Sequence, residues 1–321
     1  MARLFDGTQF YKLVIYYDMN IRGIFFKTFI TAIVVAAVSF SGILNAQTKA
    51  DSVTVADAKW ETSELQKGMK YFHLQFENLY GGPQNICMIE IAPRSYKFGF
   101  KDNGGMVKTS VKAAEAGAVA AINGTFFDMK KGNSVAFLLI DGNIIDTTER
   151  GGINPLMTGA VKIVRGKLSV IGWSPDIEKH YRAVAAGAES KHKTPCGLRH
   201  TSIMVSLPRL LEKGNECAVP PVMEGFVYKK HPRTAVFTKD GKVYLLVVDG
   251  RAKGNADGMT IRELQHFLKV YGAFDAMNMD GGGSSTIWYK GRGVLNMPSD
   301  NDKFDHAGER KVSDEICVFQ R

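Results

Sequence analysis

The sequence predicts an α+β fold, with mixed but largely antiparallel sheets flanked by helices in a single main domain. Two observations carry this prediction. Short apolar and β-branched runs are joined by turn pairs such as Asp141-Gly142 and Arg165-Gly166, which are typical of hairpins. Two further segments show helical spacing with recognisable ends. Repeated hairpins favour antiparallel pairing over a purely parallel sheet.

The composition is that of an ordinary globular protein. The 321 residues are 45% hydrophobic and 23% charged, which suits one large domain or two small ones. The net charge is +9, but the basic residues are scattered, and no aromatic residues interleave the densest basic patches at 191–193 and 229–233. Diffuse positive charge favours anionic substrates and argues against a nucleic-acid partner.

The first residues predict an export signal. Two basic residues precede the apolar run 28–44, and small and polar residues follow it. This order is that of a signal peptide over residues 1–46, with cleavage after Ala46 and a possible true start at Met19. The run is slightly short for a membrane span. We therefore expect a periplasmic or secreted protein without stable membrane insertion, and an uncleaved anchor is the weaker alternative.

Four cysteines permit two disulfides in an exported chain. Cys196 and Cys217 flank a loop-like insert and form the easier pair. Cys87 and Cys317 lie in apolar, strand-like runs and could equally be buried thiols. Their spacing does not match that of a zinc site.

Two segments predict helices with defined ends. One begins at about Thr109 and stops near Gly117, with small and apolar residues between. The other begins at the capping box formed by Thr260 and Glu263 and ends at Gly272, a residue type favoured just after the last helical turn. Residues 47–80 before them are expected to form an N-terminal extension with a first strand.

Each helix leads into a short apolar strand that ends in a polar motif with glycine. The motifs are Asn123-Gly124-Thr125 and Asn278-Met279-Asp280-Gly281, which predicts that two strand ends face one cleft. The second motif continues through Gly282 and Gly283 into two serines. Such a turn lacks Cβ atoms, so its backbone N–H groups could approach an anionic, oxygen-rich ligand. The structural alternative is a tight turn whose polar residues satisfy only their own backbone.

Five segments occur in the order found in one known family. They are 122–128 (INGTFFD), 231–237 (HPRTAVF), 247–251 (VVDGR), 277–285 (MNMDGGGSS) and 309–319 (ERKVSDEICVF). By these motifs the chain resembles the phosphodiester glycosidases, with residues 81–321 as the catalytic domain. It departs from the family pattern at Thr125, Phe237 and Met279, none of which removes a polar side chain.

The resemblance implies hydrolysis of a sugar that is joined through its anomeric oxygen to a phosphodiester. A phosphomonoester leaves far more readily than a sugar alkoxide, so a strong general acid is less necessary than in ordinary glycosidases. The site then needs cationic or N–H donors for the phosphate oxygens and a carboxylate near the anomeric carbon. A glycan or sugar phosphodiester is the expected partner.

The resemblance assigns catalytic roles to Asp280, Asp249 and Arg233. Asp280 is the preferred group nearest the reacting carbon, although the residues alone do not separate it from Asp249. The expected substrate contacts are Asn123, Gly124, Thr125, Arg251, Asn278, Gly281, Gly282, Gly283, Ser284, Ser285, Glu309 and Arg310. The sequence requires no cofactor. A divalent cation held by Asp249 and Asp280 is left open.

Several alternatives stand beside this interpretation. A metal-dependent phosphodiesterase would cut the P–O bond of the same substrates, and a binding module for phosphate-bearing glycans would cut nothing. Asn123 could serve only its own turn, and Arg233 could pair with a structural carboxylate. Glu309 and Arg310 look like a loop ion pair that could reach the cleft.

Overall fold

The computed structural model describes residues 49–148, 154–189, 198–220 and 224–321. The predicted signal peptide and its cleavage point lie outside these residues. Within the described residues, no helix has both the length and the apolar character needed to cross a bilayer.

The largest sheet has eight strands, drawn from both ends of the chain. They are β1 (Glu61–Gln66), β2 (Met69–Leu79), β3 (Gly82–Ile91), β11 (Arg209–Glu212), β12 (Asn215–Glu216), β13 (Arg233–Lys239), β14 (Lys242–Val248) and β15 (Asp275–Asn278). They lie in the order β1-β2-β3-β14-β13-β15-β11-β12. The segment expected as an N-terminal extension thus contributes two strands to this sheet, and one compact unit extends from Ser52 to Arg321.

Two five-stranded sheets complete the β structure. One contains β6 (Leu138–Ile140), β7 (Asn143–Asp146), β8 (Gly159–Val164), β9 (Lys167–Gly172) and β10 (Thr201–Ser206), in the order β7-β6-β10-β8-β9. The other contains β4 (Tyr96–Lys108), β5 (Ala120–Asn123), β16 (Ile287–Tyr289), β17 (Gly293–Val294) and β18 (Lys311–Gln320), in the order β17-β16-β5-β18-β4.

Every strand pairing among the described residues is antiparallel, which confirms the predicted fold class. The hairpins β6–β7, β8–β9 and β13–β14 turn at the predicted Asx-Gly or basic-Gly pairs. At these turns Asp141, Arg165 and Asp240 take positive φ values of 48°, 49° and 50°. The following glycine also has a positive φ, as tight hairpins require.

Five helices appear in the described residues: α1 (49–56), α2 (Thr109–Glu115), α3 (Pro175–Glu189), α4 (Glu224–Val227) and α5 (Ile261–Tyr271). The two helices predicted from sequence are α2 and α5. Both halves of the capping box form at the start of α5, between Thr260 and Glu263. Gly272 ends α5 in the left-handed conformation, with φ 89°.

The central strand β14 is buried on both faces. Alternate side chains of a strand point to opposite sides of the sheet. Tyr244, Leu246 and Val248 accordingly pack in one apolar cluster, and Val243, Leu245 and Val247 pack in another. The chain therefore leaves β14 inside the core, which places the next residue, Asp249, where only 1% of its surface is exposed.

Cys87 and Cys317 are free, buried thiols in separate apolar clusters. This confirms the second of the two interpretations given for them. Cys217 is a half-buried free thiol, so its expected pairing with Cys196, which lies outside the described residues, is not formed.

Candidate active site

The two predicted strand ends meet, one from each of two sheets. The Asp280 backbone N–H donates to the carbonyl of Gly124 over 3.1 Å. The side-chain amide of Asn123 donates in return to the carbonyl of Asp280 over 2.7 Å. The end of β5 is thereby held against the end of β15, as the parallel between the two motifs predicted.

Asn123 uses its hydrogen-bonding capacity within the protein. Its Nδ2 also reaches the Gly124 carbonyl at 3.5 Å. Its Oδ1 accepts from the Thr286 backbone N–H (3.1 Å) and from the Thr234 hydroxyl (2.9 Å). The residue is fully buried. Asn123 therefore joins the two strand ends, and its expected contact with substrate stays a prediction.

Asn278 is also fully buried. Its Nδ2 donates to the carbonyls of Leu207 (2.6 Å) and Met279 (2.8 Å), which ties β15 to the segment before β11. The structure gives Asn278 the task of holding the strand that carries Asp280. Within the part of the chain that the structure describes, its Oδ1 has no hydrogen-bond partner, and a direct contact with substrate stays a prediction.

Asp280 is the predicted acid that reaches the surface. It is half-buried, and its Oδ1 accepts the Gly281 backbone N–H over 2.9 Å. Burial raises the pKa of its carboxyl to about 6, against the opposing effect of the nearby Ser284 hydroxyl and of the charges on Arg310 and Arg251. A carboxylate with that pKa is mostly ionised at neutral pH and can act as nucleophile, base or charge stabiliser.

Asp249 is placed differently. Its Oδ2 accepts from the Asn85 side chain (2.8 Å) and the Met297 backbone N–H (3.0 Å), and its Oδ1 accepts from Asn296 (2.9 Å). Burial raises the pKa of this carboxyl. Asn296 in turn donates to the Ser285 carbonyl over 2.9 Å. Asp249 thus supports the glycine turn from inside the core, and a catalytic role for it stays a prediction.

The three glycines of the turn provide space. A Cβ on Gly281 would lie 2.6 Å from the carbonyl oxygen of Pro232. One on Gly282, where φ is +63°, would lie 2.9 Å from an Arg251 guanidinium nitrogen. One on Gly283 would lie 1.7 Å from Asp300 Oδ1 and 2.6 Å from a guanidinium nitrogen of Arg310. Only glycine therefore lets both arginines lie directly on this turn.

The backbone N–H groups of the turn were expected to approach an anionic ligand, but most of them have partners within the protein. Those of Ser284 and Ser285 donate to the carbonyls of Gly281 and Gly282 within a short 3-10 turn. Those of Gly281 and Gly282 donate to Asp280 Oδ1 and to the Pro232 carbonyl. They are not available as a cradle for phosphate. The positive charge offered to an anion comes from the two arginines instead.

Arg251 is exposed and takes a left-handed conformation with φ 61°, which is uncommon for a residue with a side chain. Its guanidinium lies over Gly282, and its charge lowers the pKa of Asp280. The Arg251 side chain makes no ion pair among the described residues.

The predicted ion pair between Glu309 and Arg310 is wrong. Glu309 accepts from the backbone N–H (2.7 Å) and hydroxyl (2.5 Å) of Ser110, which caps the start of α2. Arg310 instead forms a two-pronged pair with Asp300, with distances of 2.6 and 2.8 Å. Adjacent residues of an extended segment point to opposite sides, so one serves the helix and the other the turn.

Arg233 is buried, and its guanidinium bonds to main-chain carbonyls. Nε donates to Met259 (2.7 Å), and Nη2 donates to Phe226 (2.7 Å) and Lys229 (3.0 Å). Burial lowers its pKa to about 9. Through these contacts Arg233 holds together the backbone segments beside the turn. A direct catalytic role for Arg233 stays a prediction.

Sequence reasoning missed Asp314. Its Oδ1 accepts the Thr125 backbone N–H over 2.8 Å and would lie 1.9 Å from a Cβ on Gly124, so this glycine is needed for the contact. The Thr125 hydroxyl donates to the Val205 carbonyl, and the substrate contacts expected of Gly124 and Thr125 stay predictions. Burial raises the pKa of Asp314 to about 7 and that of Glu315 to about 8. The sequence feature that could have indicated Asp314 is the pair of adjacent acids within the apolar run of β18.

Among the described residues, no group of three or more His, Cys, Asp or Glu side chains is arranged to hold a metal. Three protein donors bind the oxygens of Asp249, and a cation held by Asp249 and Asp280 stays a prediction.

Comparison with known proteins places the chain in a family. The phosphodiester glycosidase family model matches residues 116–319. N-acetylglucosamine-1-phosphodiester alpha-N-acetylglucosaminidase from Mus musculus is 27% identical over 211 residues, and the Bos taurus protein of the same name is 28% identical over 217. These matches cover 65% of this chain but only 39% and 38% of the relatives.

The fold is shared with solved structures. The catalytic domain of the zebrafish N-acetylglucosamine-1-phosphodiester alpha-N-acetylglucosaminidase, auto-inhibited by its pro-peptide, has a TM-score of 0.59 and 20% identity, over 82% of this chain and 89% of that one. A putative exported protein from Burkholderia pseudomallei has a TM-score of 0.53 and 16% identity, over 75% of each chain. Because the family model spans more than half of the sequence, this chain belongs to the phosphodiester glycosidase family.

Proposed function

We propose that this protein is an exported hydrolase that cleaves the glycosidic C–O bond of a sugar-1-phosphodiester. The observation that carries the proposal is the meeting of one accessible carboxylate with two arginines on a turn that has no Cβ atoms. Asp280 is half-buried beside Gly281, and Arg251 and Arg310 lie against Gly282 and Gly283.

The two cations suit the leaving group. As the bond between the anomeric carbon and the ester oxygen breaks, its electron pair moves onto the phosphate, which departs as a phosphomonoester. Guanidinium groups match phosphate oxygens in geometry and stabilise the growing charge. Arg251 is exposed and available, whereas Arg310 is fixed in place by Asp300.

Asp280 suits the anomeric carbon. Its ionised carboxylate can stabilise the positive charge that develops on the sugar, or form a bond to C1 that water later replaces. In either case one water oxygen ends on the sugar, and the water protons are shared between the products and solvent.

Membership of the family supports the proposed substrate class. The similar proteins are named for action on an N-acetylglucosamine-1-phosphodiester. We propose the same type of bond here, with the sugar and the group beyond the phosphate to be found by assay. Export is proposed from the charged, apolar and small-residue order of the first 46 residues.

Release of free sugar tests the proposal. The panel comprises N-acetylglucosamine-1-phosphodiesters and matched esters of other sugars, incubated with wild-type protein, Asp280→Asn and chelator-treated protein. We expect release by the wild type that is lost in Asp280→Asn and unaffected by the chelator. Folded wild-type protein that binds these compounds without turnover would favour a binding module, and loss on chelation would favour the metal-dependent phosphodiesterase.

A further inference from the structure

A pocket of about 310 Å³ opens beside Arg251, outside the site built on Asp280. One wall is the loop after β14, and the other is the segment between β17 and β18. Its functional side chains are Arg251, Lys253, Asn255, Asp302, Lys303 and Phe304. We refer to it as the loop pocket.

The loop pocket has an excess of positive charge. It contains three cations, Arg251, Lys253 and Lys303, and one acid, Asp302. Among the described residues, no ion pair or side-chain hydrogen bond engages any of these three cations. The neighbouring Arg310, by contrast, is fully paired with Asp300. Unpaired like charges that converge on a concave surface favour an anionic ligand.

The walls of the loop pocket are fixed by their own hydrogen bonds. Ala252 and Ala256 bond to each other in both directions, at 2.9 and 2.8 Å, which closes the loop that carries Lys253. In the opposite wall, Asn301 accepts the Lys303 backbone N–H (3.2 Å) and donates to Asp305 (2.8 Å). A site formed before the ligand arrives loses less entropy on binding.

Arg251 belongs to both sites. Its guanidinium lies over Gly282 of the catalytic turn, and the residue also lines the loop pocket. In the proposed reaction Arg251 contacts the scissile phosphate. A group attached to the far side of that phosphate can then reach the two lysines and the half-buried ring of Phe304.

We infer that the loop pocket is a leaving-group subsite that selects phosphodiesters whose aglycone carries a second negative charge. This inference rests on the proposed function. Lys253 and Lys303 are the specificity-determining residues, and Phe304 supplies an apolar face beside them. The second charge binds without taking part in bond breaking, so it lowers KM and leaves kcat unchanged.

Two matched substrates test the inference. One is a sugar-1-phosphodiester of glycerol, and the other is the same compound with a phosphate on the terminal glycerol hydroxyl. We expect the charged compound to have a KM about tenfold lower with wild-type protein. In the double variant Lys253→Gln with Lys303→Gln, the two KM values should converge with kcat unchanged. Lys290→Ala, which removes an exposed lysine outside both sites, should behave as wild type.

A direct binding measurement distinguishes failure of the subsite inference from failure of the proposed function. Calorimetry with glycerol bisphosphate and glycerol phosphate reports the loop pocket without turnover. Equal KM values and equal affinities in the wild type would overturn the inference alone. No sugar release from either compound, together with lysine-dependent binding of the bisphosphate, would overturn the proposed function and leave an anion site. If the double variant unfolds, the Lys253→Arg variant must keep the preference for the charged compound.

Discussion

The side chain of Asn123 donates a 2.7 Å hydrogen bond to the backbone carbonyl of Asp280. This bond joins β5 of one five-stranded sheet to the end of β15 in the eight-stranded sheet. Asp280, the half-buried acid of the predicted catalytic set, is therefore held in place through its backbone. The polar residues around the glycine turn therefore have different structural or catalytic roles, and single substitutions can test each role.

Gly282→Ala should remove activity by displacing Arg251. The new Cβ would lie 2.9 Å from the guanidinium, at a φ of +63°. We expect a loss of about 1 kcal/mol in the free energy of unfolding from backbone strain. Sugar release should fall more than about tenfold, because the cation is misplaced. Gly241→Ala is the matched control, since it has a φ of +71° and open space around its Cβ. Equal activity losses in the two variants would contradict the role given to Arg251.

Asp249 and Asp280 should respond oppositely to replacement by asparagine. Asp249→Asn replaces a buried carboxylate oxygen by an NH2 group, which cannot accept from the donors of Asn85, Asn296 and Met297. We expect it to lower the free energy of unfolding by about 2–4 kcal/mol in urea titrations. Asp280→Asn removes a carboxyl whose pKa burial has raised, so stability should hold or rise slightly while turnover is lost. A stable, fully active Asp280→Asn protein would remove Asp280 from the mechanism.

Replacing Glu309 should affect stability, whereas replacing the adjacent Arg310 should affect activity. Glu309→Ala leaves the start of α2 without its acceptor for Ser110 and should cost about 1–2 kcal/mol of stability. Arg310→Ala breaks a half-exposed pair with Asp300, which contributes at most about 1 kcal/mol. Its sugar release should nevertheless fall at least about tenfold. Thermal unfolding and initial rates, measured on both variants, check this division, and it fails if Arg310→Ala keeps full activity.

Stability should fall as pH rises from about 4 to about 8. Burial raises the pKa of Asp314 to about 7 and that of Glu315 to about 8, so the folded protein holds these protons more tightly than the unfolded chain does. Ionising them above those values costs folded-state stability. Urea unfolding across this range should show the slope, and Glu315→Gln should flatten it. Gln in place of the exposed Glu115 should leave the slope unchanged; an unaltered slope in Glu315→Gln would contradict the explanation.

The parts that sequence could predict are those with local signals. The hairpin turns, the capping box of α5 and the glycine turn are each defined within a few residues, and all occur where they were expected. The role of Asp249 could not be predicted, because its donor Asn85 lies 164 positions away and Asn296 lies 47 away. The hydrogen-bond partners of Asn123 and Arg233 could not be predicted for the same reason. Their polar groups bind backbone atoms that only the folded sheets bring close.

The position of heavy oxygen after hydrolysis in heavy-oxygen water tests the central claim most directly. A sugar-1-phosphodiester that the wild-type protein turns over is incubated in labelled water, and both products are examined by mass spectrometry. Cleavage of the glycosidic C–O bond at Asp280 puts the label on C1 of the sugar and leaves the phosphomonoester unlabelled. Label on the phosphate would mean attack at phosphorus, and the assignment of Asp280 to the anomeric carbon would be wrong.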